Sequence, residues 1–184
     1  MDTQKKNTIL VVDDHQLFRE GLSQMINRES DLQVTAEAAD DVSALEAMEK
    51  HHPDMAIIDI SLAGSNGIDL IKRIRLTDTE TPILVLSMHD ESLYAERALR
   101  AGANGYIMKQ EANRKVRDAI RQVLSGEIYL SEKMSSQLVS KLIGGRAESS
   151  KSPIDSLSPR ELEVFELIGQ GHGTRQIAEA MKLT

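Results

Sequence analysis

The sequence contains no cysteine and no tryptophan, and only three tyrosines and two phenylalanines among its 184 residues. The lack of cysteine excludes disulfide bonds and thiolate metal sites. The scarcity of aromatic rings means that aliphatic side chains and eight methionines must fill the core. The N-terminus is polar, and no apolar run approaches the roughly 20 residues of a membrane-spanning helix. We therefore expect neither a signal peptide nor a membrane anchor, and we predict a cytoplasmic protein.

The charge is unevenly distributed along a chain whose length fits one full-sized domain and a smaller one. Residues 131–184 contain seven basic and seven acidic side chains, so the whole net charge of −7 lies in the first 130 residues. An acidic first part and a neutral second part predict weak non-specific attraction to nucleic acid.

Short apolar runs alternate with segments that repeat apolar residues every three or four positions. This alternation is typical of buried parallel strands and the helices that connect them. Right-handed crossovers would fold the repeat into one sheet with helices on both faces. The pattern predicts an α/β fold with a five-stranded, parallel, doubly wound sheet. The predicted strands are 8–12, 32–36, 54–59, 82–87 and 104–109, and the predicted helices are 15–28, 41–51, 67–76, 91–101 and 112–125.

A second unit is predicted beyond Gly126. A helix at 131–143 precedes the polar stretch 144–153, which has no apolar period and predicts a linker. Residues 158–161 (Ser-Pro-Arg-Glu) form a capping box with proline at the first helical position. One face of that helix is predicted to carry Leu162, Phe165 and Ile168, and Thr174 is predicted to be the N-cap of a short helix through Ile177, Ala178 and Met181.

Two such short helices bury little apolar surface, so we expect the second unit to be incomplete. The predicted divisions are 1–127 for the first domain, 128–156 for a helix and linker, and 157–184 for the second unit.

Four predicted strands each end on a residue that can bind phosphate or a divalent metal. Asp13 and Asp14 follow the first strand, Asp59 ends the third, Ser87 ends the fourth and Lys109 ends the fifth. Ligands of open parallel sheets bind just beyond the carboxyl ends of the strands. We therefore expect these side chains to meet in one cleft.

This set of side chains suits metal-assisted phosphoryl transfer to a carboxylate. Mg²⁺ prefers oxygen ligands, which Asp14 and Asp59 can supply. Asp59 is the predicted nucleophile because it stands alone at its strand end, and carboxylates do form acyl phosphates. Lys109 would neutralise charge on the transferred group, and Ser87 would donate a hydrogen bond to it.

Each of these residues alone has a more ordinary explanation. An acid after a strand is usually a helix cap or a turn former, and a lone lysine or serine is usually solvated or in a turn. Their joint placement at four strand ends favours the functional hypothesis. The histidines form no ligand set in the sequence, and all five are predicted to be solvated: His15, His51, His52, His89 and His172.

The first part of the chain strongly resembles a bacterial response-regulator receiver domain, which has a flavodoxin-like fold. The resemblance is carried by residues 11–22 (VVDDHQLFREGL), 57–59 (IID), 86–87 (LS) and 102–109 (GANGYIMK). Residues 157–164 (LSPRELEV), with Gly171 and 176–179 (QIAE), resemble the start of a LuxR-type helix-turn-helix. Together they indicate the NarL/FixJ class of transcription regulators, which are not enzymes.

The resemblance implies that Asp59 accepts a phosphoryl group from a sensor histidine kinase. It implies that Mg²⁺ is held by Asp13, Asp14, Asp59 and the backbone carbonyl of Ser61. It also implies that Ser87 and Tyr106 form a switch, in which the hydroxyl moves toward the phosphate and the aromatic ring turns inward.

The resemblance further implies a homodimer on phosphorylation and control of DNA binding and transcription by the second unit. In the family the recognition helix begins near the position of Leu183 and Thr184. We therefore expect it to be absent from this sequence, and we expect the sequence to be a fragment.

Two other functions remain open at this point. An enzyme of the aspartyl-phosphate phosphatase type would use the same Asp59 and metal cluster. However, residues 59–61 (Asp-Ile-Ser) lack the second acid that would protonate a leaving group. A binding module that switches without phosphate would show no response to acetyl phosphate or beryllofluoride with Mg²⁺.

Overall fold

A computed structural model describes residues 5–143 and 153–181. The strands are β1 (Asn7–Val12), β2 (Leu32–Ala38), β3 (Met55–Ile58), β4 (Ser61–Leu62), β5 (Ser65–Asn66), β6 (Ile83–Ser87) and β7 (Gly105–Met108). The helices are α1 (Gln16–Asn27), α2 (Asp41–His51), α3 (Gly67–Arg75), α4 (Glu91–Ala101), α5 (Ala112–Leu124), α6 (Glu132–Ile143), α7 (Pro159–Gly169) and α8 (Thr174–Ala180). Short 3-10 helices span Lys109–Glu111 and Pro153–Ser156.

The five longer strands form one parallel sheet in the order β2-β1-β3-β6-β7. Successive residues of a strand point to opposite faces. Leu10 and Val12 therefore pack on the side of α2, α3 and α4, whereas Ile9 and Val11 pack on the side of α1 and α5. Cover on both faces explains why the strands are continuous apolar runs. The predicted α/β doubly wound architecture is confirmed.

A small antiparallel hairpin of β4 and β5 follows β3 and was not predicted from the sequence. Gly64 lies at its turn with a φ of 75°, a left-handed conformation that favours glycine. Behind the hairpin, a Cβ atom added to Gly67 would lie 2.0 Å from the backbone oxygen of Asp59. Glycine at this position lets α3 start against the end of β3, so it helps to fix the backbone of Asp59.

The segment after α5 pairs with the start of the edge strand β7. Tyr106 N donates to Tyr129 O at 2.9 Å, and Tyr129 N donates to Asn104 O at 3.0 Å, which extends the sheet beside β7. The predicted helix at 131–143 is confirmed as α6, and its buried Met134 packs into the core. Covering the start of an edge strand in this way disfavours pairing with other chains at that point.

The second unit is confirmed as helical, with one correction. Thr174 was predicted to be an N-cap, but Gly173 holds that position and Thr174 is the first residue of α8. The reason is a hydrogen bond in which Gly173 N donates to Oε1 of Gln176 at 2.8 Å. Most of the predicted linker lies outside the described residues. Leu183 and Thr184, where the family's recognition helix was expected to begin, also lie outside them.

The predicted apolar face of α7 is only partly covered in the described part of the chain. Leu162 is buried in the core, whereas Phe165 and Ile168 are about half exposed. Among the described residues, no helix combines the length and apolar character that crossing a membrane requires.

Candidate functional site at the carboxyl edge of the sheet

The predicted convergence of strand ends is present in the structure. Nζ of Lys109 lies 2.6 Å from Oδ2 of Asp13 and 2.7 Å from Oδ2 of Asp59. All three side chains are buried, although they come from the ends of β7, β1 and β3. The parallel sheet therefore brings two carboxylates and an ammonium group into direct contact across 96 positions of sequence.

The electrostatics of this group are those of a buried, crowded site. Burial raises the pKa of Asp59 to about 6; the charge of Lys109 opposes this shift and the charge of Asp13 adds to it. Burial lowers the pKa of Lys109, but Asp59 and Asp13 more than offset that effect, so the net pKa of Lys109 is raised. Lys109 is therefore a fixed cation between the two carboxylates.

The acidic cluster fits a divalent cation. Asp13, Asp14, His15 and Asp59 each offer one ligand atom, and these atoms lie within 4.8 Å of one another. Oδ1 of Asp59 is buried and has no hydrogen-bond partner among the described residues. A buried oxygen without a partner is costly, and a bound cation would satisfy it. The oxygen-rich donor set is the kind that hard divalent cations prefer.

Ser87 and Tyr106 both connect to the loop that follows β6. Ser87 is fully buried at the end of that strand, and its hydroxyl accepts a hydrogen bond from the backbone N of His89 at 3.2 Å. The ring of Tyr106 already points inward and is buried, and its hydroxyl donates to the backbone O of His89 at 2.9 Å. Both predicted switch residues therefore hold the backbone of His89.

His89 is not solvated, which corrects the sequence prediction. Only 16% of its side chain is exposed. Nε2 lies 2.9 Å from Oγ of Ser61, Nδ1 lies 2.9 Å from Oε2 of Glu166, and the ring stacks on Tyr94 at 4.4 Å between centroids. The prediction was wrong because Glu166 is 77 residues away in the sequence, and no local sequence pattern indicates this contact. The side chains of His15, His51, His52 and His172 are exposed, as predicted.

Helix α7 docks beside the strand ends through a set of polar contacts. Glu166 accepts a second hydrogen bond from the hydroxyl of Tyr94 at 3.0 Å. Arg97 of α4 donates to the backbone oxygens of Leu157 at 2.5 Å and Ile154 at 2.6 Å. Arg160 of α7 donates to Ser65 O in the hairpin at 3.1 Å. A chain of hydrogen-bonding groups thus runs from Ser61, near Asp59, through His89 to α7.

Glu163 lies in the same interface and is almost fully buried. Its Oε2 has no hydrogen-bond partner among the described residues, and burial raises its pKa. Two glutamates one helical turn apart on α7 therefore face the first domain. Sequence reasoning treated α7 as an amphipathic helix and missed this polar contact, because glutamates on a helix surface ordinarily face solvent.

Comparison with known proteins finds a matching family for each of the two parts of the chain. The family model described as "Response regulator receiver domain" matches residues 9–121, and the model described as "Bacterial regulatory proteins, luxR family" matches residues 155–184. The chain is 37% identical over 177 residues to the oxygen regulatory protein NreC of Staphylococcus carnosus, covering 94% of this chain and 82% of that protein.

Solved structures agree. A LuxR-family two-component response regulator from Aurantimonas sp. SI85-9A1 is 32% identical with a TM-score of 0.70, covering 76% of this chain and 99% of the other. The response regulator ChrA of a heme-sensing two-component system is 26% identical with a TM-score of 0.59, covering 97% and 83%. These relatives favour a transcription regulator over the phosphatase-like alternative. The chain belongs to the two-component response regulators that join a receiver domain to a LuxR-type DNA-binding domain.

Proposed function

We propose that Asp59 is the phosphoacceptor of this response regulator. A partner histidine kinase would supply the phosphoryl group, so that an N–P bond breaks on the kinase as an O–P bond forms on Asp59. The observation that carries the proposal is the state of the Asp59 carboxylate. One oxygen is held by Lys109 at 2.7 Å, and the other is buried and has no hydrogen-bond partner among the described residues. The second oxygen is thus available for bond formation or for a cation.

Each neighbour has a role in the same proposal. Asp13, Asp14 and Asp59 would hold Mg²⁺ with the backbone carbonyl of Ser61, and the ion, when bound, would neutralise charge on the transferred group. Lys109 would pass from the carboxylates to an oxygen of the phosphoryl group. Ser87 would donate a hydrogen bond from its hydroxyl to another oxygen of the phosphoryl group. These roles require positioning and charge more than covalent chemistry, which is typical of phosphoryl transfer.

The contacts of His89 suggest how the signal leaves the site. A phosphoryl group adds a charge of about −1.5 to −2 next to Ser87. If the Ser87 hydroxyl turns toward the phosphoryl group, it no longer accepts the hydrogen bond from the backbone N of His89. The His89 ring would then no longer hold both Ser61 and Glu166. We propose that α7 is docked in the resting state and is released when Asp59 is phosphorylated, as a shift between two populations.

Other parts of the proposal rest on family membership. The DNA-binding unit would act on an operator after release, and phosphorylated chains would pair as homodimers. We propose domain divisions at 1–127, 128–156 and 157–184; the first follows the end of α5 at Leu124, and the last begins two residues before α7 at Pro159. A regulator that acts on bacterial DNA would work in the cytoplasm.

The test is chemical labelling with acetyl phosphate and Mg²⁺, followed by intact mass and peptide mapping. We expect one phosphoryl group per chain on Asp59, and none in Asp59→Asn. Asp69→Asn is the matched control because Asp69 is an exposed acid on α3 that pairs only with Lys72 in the described part of the chain. Continuous phosphate release without a stable label would support a phosphatase, and the absence of any label would support the phosphate-independent module.

A further inference from the structure

His15 stands at the mouth of the acidic cluster, directly after the acid pair. It is the N-cap of α1, but no side-chain capping bond is found there in the described residues. Its backbone N donates to Oδ1 of Asp13 at 2.8 Å, which holds the residue beside the carboxylates. Nδ1 lies 2.8 Å from Oδ1 of Asp14 and 3.4 Å from Oδ1 of Asp13, and 61% of the side chain is exposed.

We propose that Nδ1 of His15 is a nitrogen ligand of the cation site, and that it raises the affinity of the site for a first-row transition metal such as Zn²⁺ far more than its affinity for Mg²⁺. This inference rests on the cation site of the proposed function and adds a ligand to it. Magnesium sites are built from oxygen, whereas imidazole nitrogen suits zinc and its neighbours. Three carboxylates and one imidazole form a mixed donor set that is suitable for both classes of ion.

The observed spacing fits atoms that share one metal ion. At metal–ligand distances of about 2.1 Å, two ligands at a right angle are about 3.0 Å apart, and two at a tetrahedral angle about 3.4 Å apart. The separations of Nδ1 from the two carboxylate oxygens, 2.8 Å and 3.4 Å, bracket these values. The 2.8 Å separation also fits a hydrogen bond from the ring to Asp14, so the metal affinities must distinguish the two roles of His15.

Two further observations point to a cation at this place. Oδ1 of Asp59 is buried without a partner among the described residues, although the carboxylate belongs to the cluster. The charges also favour a divalent ion. Lys109 balances one of the three carboxylates of Asp13, Asp14 and Asp59, so the ionised cluster retains two negative charges. Like charges this close disfavour each other, and a divalent cation removes that cost.

A simpler role for His15 makes a different prediction. The ring could orient Asp14 by a hydrogen bond without touching the metal. Loss of the ring would then lower the affinity for every cation that Asp14 binds by a similar factor. If His15 is a direct nitrogen ligand, loss of the ring should weaken Zn²⁺ binding far more than Mg²⁺ binding. The ratio of the two affinities therefore separates a ligand from a positioning residue.

The experiment is a calorimetric titration of the full 184-residue chain with ZnCl₂ and, separately, with MgCl₂. The variants are His15→Gln and, as the matched control, His51→Gln. His51 is an exposed histidine that ends α2 before β3 begins, at the opposite end of the sheet from Asp59. We expect His15→Gln to lower the Zn²⁺ affinity about tenfold or more, with a much smaller change for Mg²⁺. His51→Gln should match the parent.

A second measurement does not depend on a variant. In the unmodified chain, Zn²⁺ should shift the ring nitrogen resonance of His15 at Nδ1, while Mg²⁺ should leave it close to the metal-free position. Equal Zn²⁺ affinity in the parent and His15→Gln, or an equal loss for both metals, would overturn the nitrogen ligand. If Zn²⁺ leaves the Nδ1 resonance unmoved, the proposal also fails. Failure of the parent chain to bind Mg²⁺ would instead count against the cation site of the proposed function.

Discussion

Replacement of Glu166 by alanine tests the contact between α7 and the receiver. The change removes both hydrogen bonds of its carboxylate, to the His89 ring at 2.9 Å and to the Tyr94 hydroxyl at 3.0 Å. Hydrogen bonds to charged groups contribute about 1.5–3 kcal/mol each when buried. The Glu166 side chain is 18% exposed, so we take about 1 kcal/mol for each bond. The total of about 2 kcal/mol predicts a rise of about 30-fold in the ratio of undocked to docked α7.

The lack of cysteine makes a clean distance assay possible. Asp118→Cys on α5 and His172→Cys in the turn after α7 place two spin labels at exposed positions without competing thiols. Pulsed electron paramagnetic resonance then gives the distribution of distances between the label on the receiver and the label beside α7. The matched control is Glu179→Ala, since Glu179 on α8 pairs only with Arg175 in the described part of the chain. If Glu166→Ala gives the same distribution as the parent and the control, the reasoning about this contact is refuted.

Three further predictions concern the strand ends. Mg²⁺ should raise the melting temperature of the parent, because a ligand that binds only the folded state stabilises that state, and Asp14→Ala should remove most of this rise. An equal rise in both proteins would contradict the role of Asp14 as a metal ligand. Lys109→Ala should still accept a phosphoryl group from acetyl phosphate but should no longer change the label distances, and a normal change would show that Lys109 is not needed for coupling. Because burial raises the pKa of Asp59 to about 6, the folded chain retains a proton that the unfolded chain loses near pH 4. Without metal, the Asp59 contribution to stability should therefore fall by about 3 kcal/mol as the pH rises from about 4 to 6, and urea unfolding of Asp59→Asn should lack this component.

Much of the fold was predictable because its signals are local. A strand such as β6 is buried on both faces, so it appears in the sequence as an unbroken apolar run. The meeting of Asp13, Asp59 and Lys109 follows from one rule, that parallel strands share a carboxyl edge. The capping box at Ser158 also acts within a single turn, and the structure contains both of its hydrogen bonds.

The features that were missed depend on distant partners or on very short elements. Two-residue strands such as β4 and β5 have no period to detect. His89 was predicted to be solvated because it lies in the loop after a strand end, but its burial depends on Tyr94 and on Glu166 of another domain. The N-cap of α8 shifted to Gly173 because the side chain of Gln176 supplies the capping bond. In each case the deciding contact is absent from the local pattern.

The most direct test of the central claim uses the same label pair with beryllofluoride and Mg²⁺, which mimic a phosphoryl group on Asp59. We predict that the distances between Asp118→Cys and His172→Cys lengthen and broaden in the otherwise unmodified chain. We also predict that these distances stay unchanged when Asp59→Asn is added. An unchanged distribution in the chain that retains Asp59, or the same change in the Asp59→Asn variant, would contradict control of α7 by phosphorylation at this residue.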